Sequence, residues 1–253
     1  KGVVAASAGN HAQGVALAAQ ILGIKATIFM PEGATLPKYQ ATLGYGADVI
    51  FSGKTIDEAL MAASAFSDET GAVFIHPFDH EHIVAGQGTM GLEILAQNPD
   101  VKTVVVCTGG GGLLAGTALA IKSLRPDIKV IGVQAEMAAA YPPSLAAGSP
   151  QMLPKMSTMA DGIAVGKPGD VPFTIIQQHV DEIRTVSEAS LARALLLTLE
   201  RSKLQVEAGG IAAVAAILDD PDSFVGPVVA SLSGGNIDPL LLSRVLRTGL
   251  ATS

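Results

Sequence analysis

The chain of 253 residues is 49% hydrophobic with a net charge of −7 and a pI near 5.1, long and apolar enough to bury a core in one large domain or two smaller ones. Its Lys and Arg residues are scattered, which excludes a nucleic-acid surface or a polybasic membrane anchor and leaves small metabolites as the expected partners. Apolar stretches are broken by Gly, Pro or charge before the ~20 residues of a membrane span, and the lone cysteine, Cys107, excludes an intramolecular disulfide and fits a reducing cytoplasm.

Short apolar strands alternate with longer helical patterns, which predicts an α/β protein of parallel β-α-β units whose ligands gather at the carboxyl ends of strands. A first set comprises strand 3–6, helix 10–22, strand 26–30, helix 37–45, strand 48–51, helix 55–70 and strand 73–75. It forms a small domain over residues 2–77. Asp79 is expected to N-cap a helix reaching about Gln97, followed by strand 103–107, helix 113–124 and strand 129–135. A larger domain, 78–253, starts there. Between Tyr141 and Val171 the Pro, Gly, Ser and Met content rises and periodicity fades, which predicts an irregular excursion near a site. The pattern resumes with helix 172–179, strand 183–186, helices 188–202 and 209–218, strand 227–232 and helix 239–247.

Three glycine loops fall at strand ends. Gly109-Gly110-Gly111-Gly112-Leu113 follows the strand ending at Cys107 and opens a helix, so bare backbone N–H groups and the positive helix end coincide. That combination can cradle a phosphate. A flexible turn that binds nothing also fits, and so does a dinucleotide site, since Gly110, Gly112 and Ala115 match G-x-G-x-x-A and Glu136 closes the next strand. A P-loop is excluded because no Gly-Lys-Ser/Thr follows. Ser7-Ala8-Gly9-Asn10-His11 is a second anion-friendly turn, with Ser7 a possible cap and Asn10 offering both a donor and an acceptor. The third, Ser231-Leu232-Ser233-Gly234-Gly235-Asn236, sets a hydroxyl beside glycines that let a ligand ring approach. Three such loops imply a convergent site for a phosphate and a polar small molecule.

Other residues have plainer readings. Cys107 reads as a small buried hydrophobe rather than a nucleophile. His76, Asp79, His80 and His82 read as a helix cap and a solvated face, with spacing too irregular for a metal, and no metal is expected. Glu207 reads equally as a contact of the ligand region or a first-turn carboxylate. The seven methionines read as packing.

Ser7 to Gly14, Gly86-Gln87-Gly88-Thr89, Gly109 to Leu113, Glu207-Ala208-Gly209-Gly210 and Ser233 to Asn236 occur in an order that resembles the fold-type II pyridoxal-phosphate enzymes, the threonine dehydratases above all. Ala160-Asp161-Gly162-Ile163-Ala164-Val165 with Pro168-Gly169 resembles the same branch. The resemblance spans essentially the whole chain and implies two open, twisted, mostly parallel sheet lobes of the tryptophan synthase beta-like kind, with pyridoxal 5′-phosphate as cofactor.

By that resemblance, Gly109, Gly110, Gly111, Gly112 and the Leu113 amide would hold the cofactor phosphate, and Asn10 would bond the pyridine 3′-oxygen. Ser7, Gly9, Asn10 and His11 would bind the substrate carboxylate through amides and side chains. Ser233 would bond the pyridine nitrogen, and a neutral hydroxyl would not force that nitrogen to stay protonated. Racemases that resemble this chain carry a serine at the Ala8 position, and alanine cannot move a proton. They also bind a cation through an acid where Pro142 stands, six residues beyond Glu136. The implied reaction is dehydration and deamination of L-threonine to 2-oxobutanoate and ammonia, with L-serine giving pyruvate, in a cytoplasmic homodimer or homotetramer.

The family's Schiff-base lysine is implied shortly upstream of the first strand, and Lys1 lacks its context. The chain is therefore expected to be a fragment whose larger domain lacks an N-terminal portion and which cannot by itself hold the cofactor covalently. The helix from Leu240 is the place where some relatives continue into a regulatory domain. Alternatives are a serine dehydratase or racemase of the same family, a noncatalytic pseudoenzyme that keeps the cradle without the lysine, and an NAD-binding oxidoreductase.

Overall fold

A computed structural model describes residues 1–34 and 36–249. The chain divides into two compact units, the first Lys1–Pro77 and the second from Phe78 onward.

In the first unit β1 (Val3–Ala6), α1 (Asn10–Leu22), β2 (Ala26–Met30), α2 (Leu36–Gly44), β3 (Asp48–Phe51), α3 (Ile56–Thr70) and β4 (Val73–Phe74) alternate. The strands pair in parallel in the order β3-β2-β1-β4. Successive residues of a strand point to opposite faces, and both faces are buried. Ala5, Ile28 and Met30 pack with Ala12, Val15 and Ala16 of α1, whereas Val4, Ala6 and Phe29 pack with Ala59 and Ala63 of α3. Burial on both faces explains why these strands read as continuous apolar runs. Thr55 starts α3 with a capping box, its side chain accepting from the Glu58 N–H at 3.2 Å.

The second unit contains α4 (Glu81–Gln97), β5 (Thr103–Cys107), α5 (Gly112–Leu124), β6 (Lys129–Ala135), α6 (Tyr141–Ala147), α7 (Asp170–His179), β7 (Glu182–Val186), α8 (Glu188–Leu197), α9 (Ala212–Asp219), β8 (Val228–Ala230) and α10 (Pro239–Gly249). Its sheet is parallel in the order β7-β6-β5-β8. The loops that leave β5 and β8 therefore emerge side by side at the carboxyl edge. Valines alternate across β5: Val104 and Val106 pack with Leu114 and Ile121, and Val105 with Ile211 and Ala212 of the other face.

Three expectations need correction. His80, not Asp79, caps α4, its ring Nδ1 accepting from the His82 N–H at 3.1 Å. Asp79 instead accepts from the Val171 N–H at 2.9 Å, in the first turn of α7. The stretch after Tyr141 is not wholly irregular, because α6 occupies it, with prolines in the first-turn positions where a missing N–H costs nothing. The helix expected over 188–202 is α-helical only to Leu197 and then widens into a π-turn, Thr198–Ser202, closed by Lys203 at φ 59°. Residues 250–253 of the helix expected from Leu240 lie outside the described residues. Among the described residues, no helix is long and apolar enough to cross a membrane.

Candidate cofactor site

In the first unit, the loop after β1 is tied down by its own polar groups. The Ser7 N–H donates to Phe29 O at 3.0 Å, continuing the sheet ladder, so this amide is not available to a carboxylate. Ser7 Oγ accepts from the Gly9 N–H at 3.1 Å, which leaves the hydroxyl proton to point elsewhere. Gly9, not Ser7, is the N-cap residue of α1, and no side chain caps that helix. The His11 ring places Nε2 3.0 Å from Ile75 O. Burial pushes its pKa below the ordinary histidine value, His76 adds to the effect, and the Ile75 carbonyl opposes it. A neutral ring whose Nε2–H serves Ile75 cannot also donate to a carboxylate from Nδ1. The groups this loop retains for an anion are the Ser7 hydroxyl and the first-turn N–H of His11, a position without an intrahelical acceptor. A Cβ on Gly9 would meet nothing within 4 Å, so the space above the loop is open.

In the second unit the tetraglycine loop is crowded. A Cβ on Gly110 would collide with the Phe78 ring, one on Gly111 would fall on the Tyr141 hydroxyl, and one on Gly112 would lie 3.1 Å from Phe78 Cα. Gly111 also has φ +102°, a conformation an L side chain rarely adopts. The loop's carbonyls are used: Gly110 O accepts from the Tyr141 hydroxyl at 3.1 Å and from the Gly169 N–H at 3.0 Å. Its donors are not. Among the described residues, no protein acceptor takes the N–H groups of Gly109, Gly110, Gly111, Gly112 or Leu113, although Gly110, Gly111 and Gly112 are buried. Buried N–H groups without a partner are rare and call for a ligand.

Ser233 stands beside this loop. Its Oγ lies 3.0 Å from Sγ of Cys107, the residue that precedes Thr108 and the glycines, while Ser231 N–H donates to Val105 O at 2.9 Å and anchors the loop to the sheet.

A family model described as "Pyridoxal-phosphate dependent enzyme" matches residues 1–234. The chain belongs to that family. It is 50% identical over 253 residues to an L-threonine ammonia-lyase of Thermotoga maritima, covering 100% of this chain and 63% of the relative's length. The processed form of threonine deaminase isoform 2 from Solanum lycopersicum superposes with a TM-score of 0.93 at 38% identity, covering 100% of this chain and 74% of that one. Maize serine racemase superposes with a TM-score of 0.90 at 34% identity, covering 98% of this chain and 77% of that one. The chain thus spans less than two thirds of the Thermotoga relative.

The second unit's residues fit the cofactor's phosphate, because five adjacent N–H groups stand at the start of α5 where the helix dipole favours negative charge. Membership of the pyridoxal-phosphate family removes the dinucleotide reading of the glycines. Glu136 is exposed, and Pro142 lies in the first turn of α6. Among the described residues, no group of three His, Cys, Asp or Glu could hold a metal.

Tyr141 and Phe78 pack against the glycine loop, a support that sequence reasoning missed. Tyr141 is fully buried, donates from its N–H to Gln134 Oε1 at 2.9 Å, and stacks on Phe173. Burial and the neighbouring Asp79 push its pKa up, so it stays a phenol and a donor to Gly110. The prolines after Tyr141 were the available signal for a helix start.

Proposed function

We propose that the intact protein is a threonine ammonia-lyase dependent on pyridoxal phosphate, converting L-threonine to 2-oxobutanoate and ammonia, and L-serine to pyruvate. Identity of 50% along the whole chain to a relative named for that reaction supports the substrate class. The observation that carries elimination over racemisation is Ala8, which puts a methyl group where a second acid/base hydroxyl would be needed.

Bound pyridoxal phosphate supplies an electron sink for the pair left at the substrate's Cα. The chain's residues then have separate tasks. The N–H groups of Gly109 to Leu113 take the phosphate, and Ser233 bonds the pyridine nitrogen through a neutral hydroxyl. In the first unit Asn10 serves the 3′-oxygen, and the Ser7 hydroxyl with the His11 amide takes the substrate carboxylate. Loss of the Cα proton and departure of the β-hydroxyl as water leave an enamine, which hydrolyses to the keto acid and ammonia. No residue of this chain is assigned the proton abstraction. Threonine and serine differ by one methyl, worth about 1–3 kcal/mol of discrimination, so both are substrates. The protein is read as cytoplasmic and as a homodimer or homotetramer.

The test is product analysis of the protein encoded by its full reading frame, given pyridoxal phosphate and L-threonine, L-serine or L-cysteine. Equal amounts of 2-oxobutanoate and ammonia from threonine are expected. Formation of D-amino acid without keto acid would overturn elimination in favour of racemisation.

A further inference from the structure

Ser233 sits in a socket formed by two side chains that no step above uses. On the strand side, Cys107 places Sγ 3.0 Å from Ser233 Oγ, and its own N–H donates to Ser231 Oγ at 3.2 Å. On the other side, the Glu207 N–H donates to Gly234 O at 3.1 Å, and the Asn236 N–H donates to Glu207 Oε2 at 3.1 Å. One residue thus clamps the backbone directly after Ser233 at both ends. Glu207 is only 7% exposed, rare for a carboxylate unless its hydrogen bonds have a purpose. The surrounding backbone leaves no slack. A Cβ on Gly210 would collide with Ser233 O, and one on Gly162 would lie 2.8 Å from Glu207 Oε1.

The hydrogen-bond inventory gives this socket a direction. Burial pushes the Cys107 thiol up, and Glu207 adds to that against the lowering effect of Ser233 and Ser231, so it keeps its proton. A thiol carries one donor and a weak acceptor. Donating that proton to Ser233 Oγ satisfies the thiol and frees the Ser233 O–H to donate outward. The reverse arrangement would leave a buried S–H without an acceptor and make Ser233 an acceptor for its ligand.

We propose that Glu207 and Cys107 are positioning residues for Ser233, the carboxylate fixing its backbone and the thiol fixing its hydroxyl, so that Ser233 meets the pyridine nitrogen as a donor and keeps that nitrogen unprotonated. The proposal rests on the reading above that Ser233 contacts the cofactor ring.

Two measurements on the fully encoded protein test it. In the cofactor-free protein, the infrared S–H stretch of Cys107, isolated by difference against C107A, reads the socket directly. The band is expected to move in S233A and E207A and to stay in place in E207Q, whose amide oxygen still accepts from Asn236. In the holoenzyme, S233A and E207A are expected to shift the cofactor absorbance alike and to lower kcat by about tenfold, the equivalent of one lost hydrogen bond, with KM little changed. The double variant should be no worse than S233A, because both act through one hydroxyl. C107A, which removes only the sulfur, should shift the absorbance in the same direction should E207A fail to fold. An S–H band unmoved by S233A, or effects of S233A and E207A that add, overturns the proposal. A moved band with cofactor absorbance unchanged in S233A leaves the socket standing and overturns the assignment of Ser233 to the ring.

Discussion

The two helix-opening loops solve the same problem in opposite ways. The loop after β5 is held by its own unit: Phe78 and Tyr141 fill the places where side chains would grow on Gly110, Gly111 and Gly112. The loop after β1 is fastened by hydrogen bonds of Ser7 and His11, with open space at Gly9 where a side chain would grow. Glycine is therefore required twice over in the first loop, for the protein's packing and for the bare N–H groups, whereas at Gly9 only a ligand would object to a side chain. On the function proposed above, the packed seat would take a phosphate that stays bound, and the open one a substrate that enters and leaves.

That contrast breaks most visibly at Gly111. Replacing it with alanine combines overpacking against Tyr141 with a left-handed backbone, and a loss of about 3 kcal/mol in unfolding free energy is expected. Urea denaturation measures it, and an unchanged midpoint would remove the packing account. Y141F should cost about 1 kcal/mol, the worth of one hydrogen bond to Gly110 O, and should weaken retention of pyridoxal phosphate.

Acidification sharpens the comparison. His11 has a folded pKa below its ordinary value, so its contribution to stability is complete above about pH 6.5 and declines as pH falls below that. Glu182 of the second unit is held below the usual carboxylate range by Arg184 first and by Lys129, against burial. Its contribution is complete above about pH 4.3 and is lost only as pH falls through its lowered value. Hydrogen-exchange protection, corrected for the slower intrinsic exchange at lower pH, should therefore fall between pH 7 and 5 around the β1–α1 loop before the β6–β7 edge, and H11Q should abolish that early loss.

The smallest effect is expected for G9A. Stability should change by no more than about 0.5 kcal/mol, since the new methyl meets no protein atom, while KM for threonine rises.

How much of this was legible follows from what a sequence encodes locally. The strands and helices around Ser7, Gly109 and Ser233 could be placed because β-branched runs, glycines and helix periods are local signals. The supports could not. Tyr141 reaches Gly110 across 31 positions of sequence, and Asp79 serves the start of α7 across 92, so nothing near either residue announces its partner. The use of the Ser7 amide was hidden because it depends on register with β2, which only the paired sheet fixes. Cys107 read as packing and is packed, but its sulfur also meets Ser233, a contact made by the adjacency of β5 and β8.

The central claim is that the unpartnered N–H groups of Gly109 to Leu113 are the seat of the cofactor's phosphate. Amide chemical shifts of these five residues, followed while the protein is titrated with pyridoxal phosphate, inorganic phosphate or phosphate-free pyridoxal, test it most directly. The account predicts shifts with the first two ligands and none with the third. Shifts elsewhere with this loop silent, or equal shifts with all three, would contradict it.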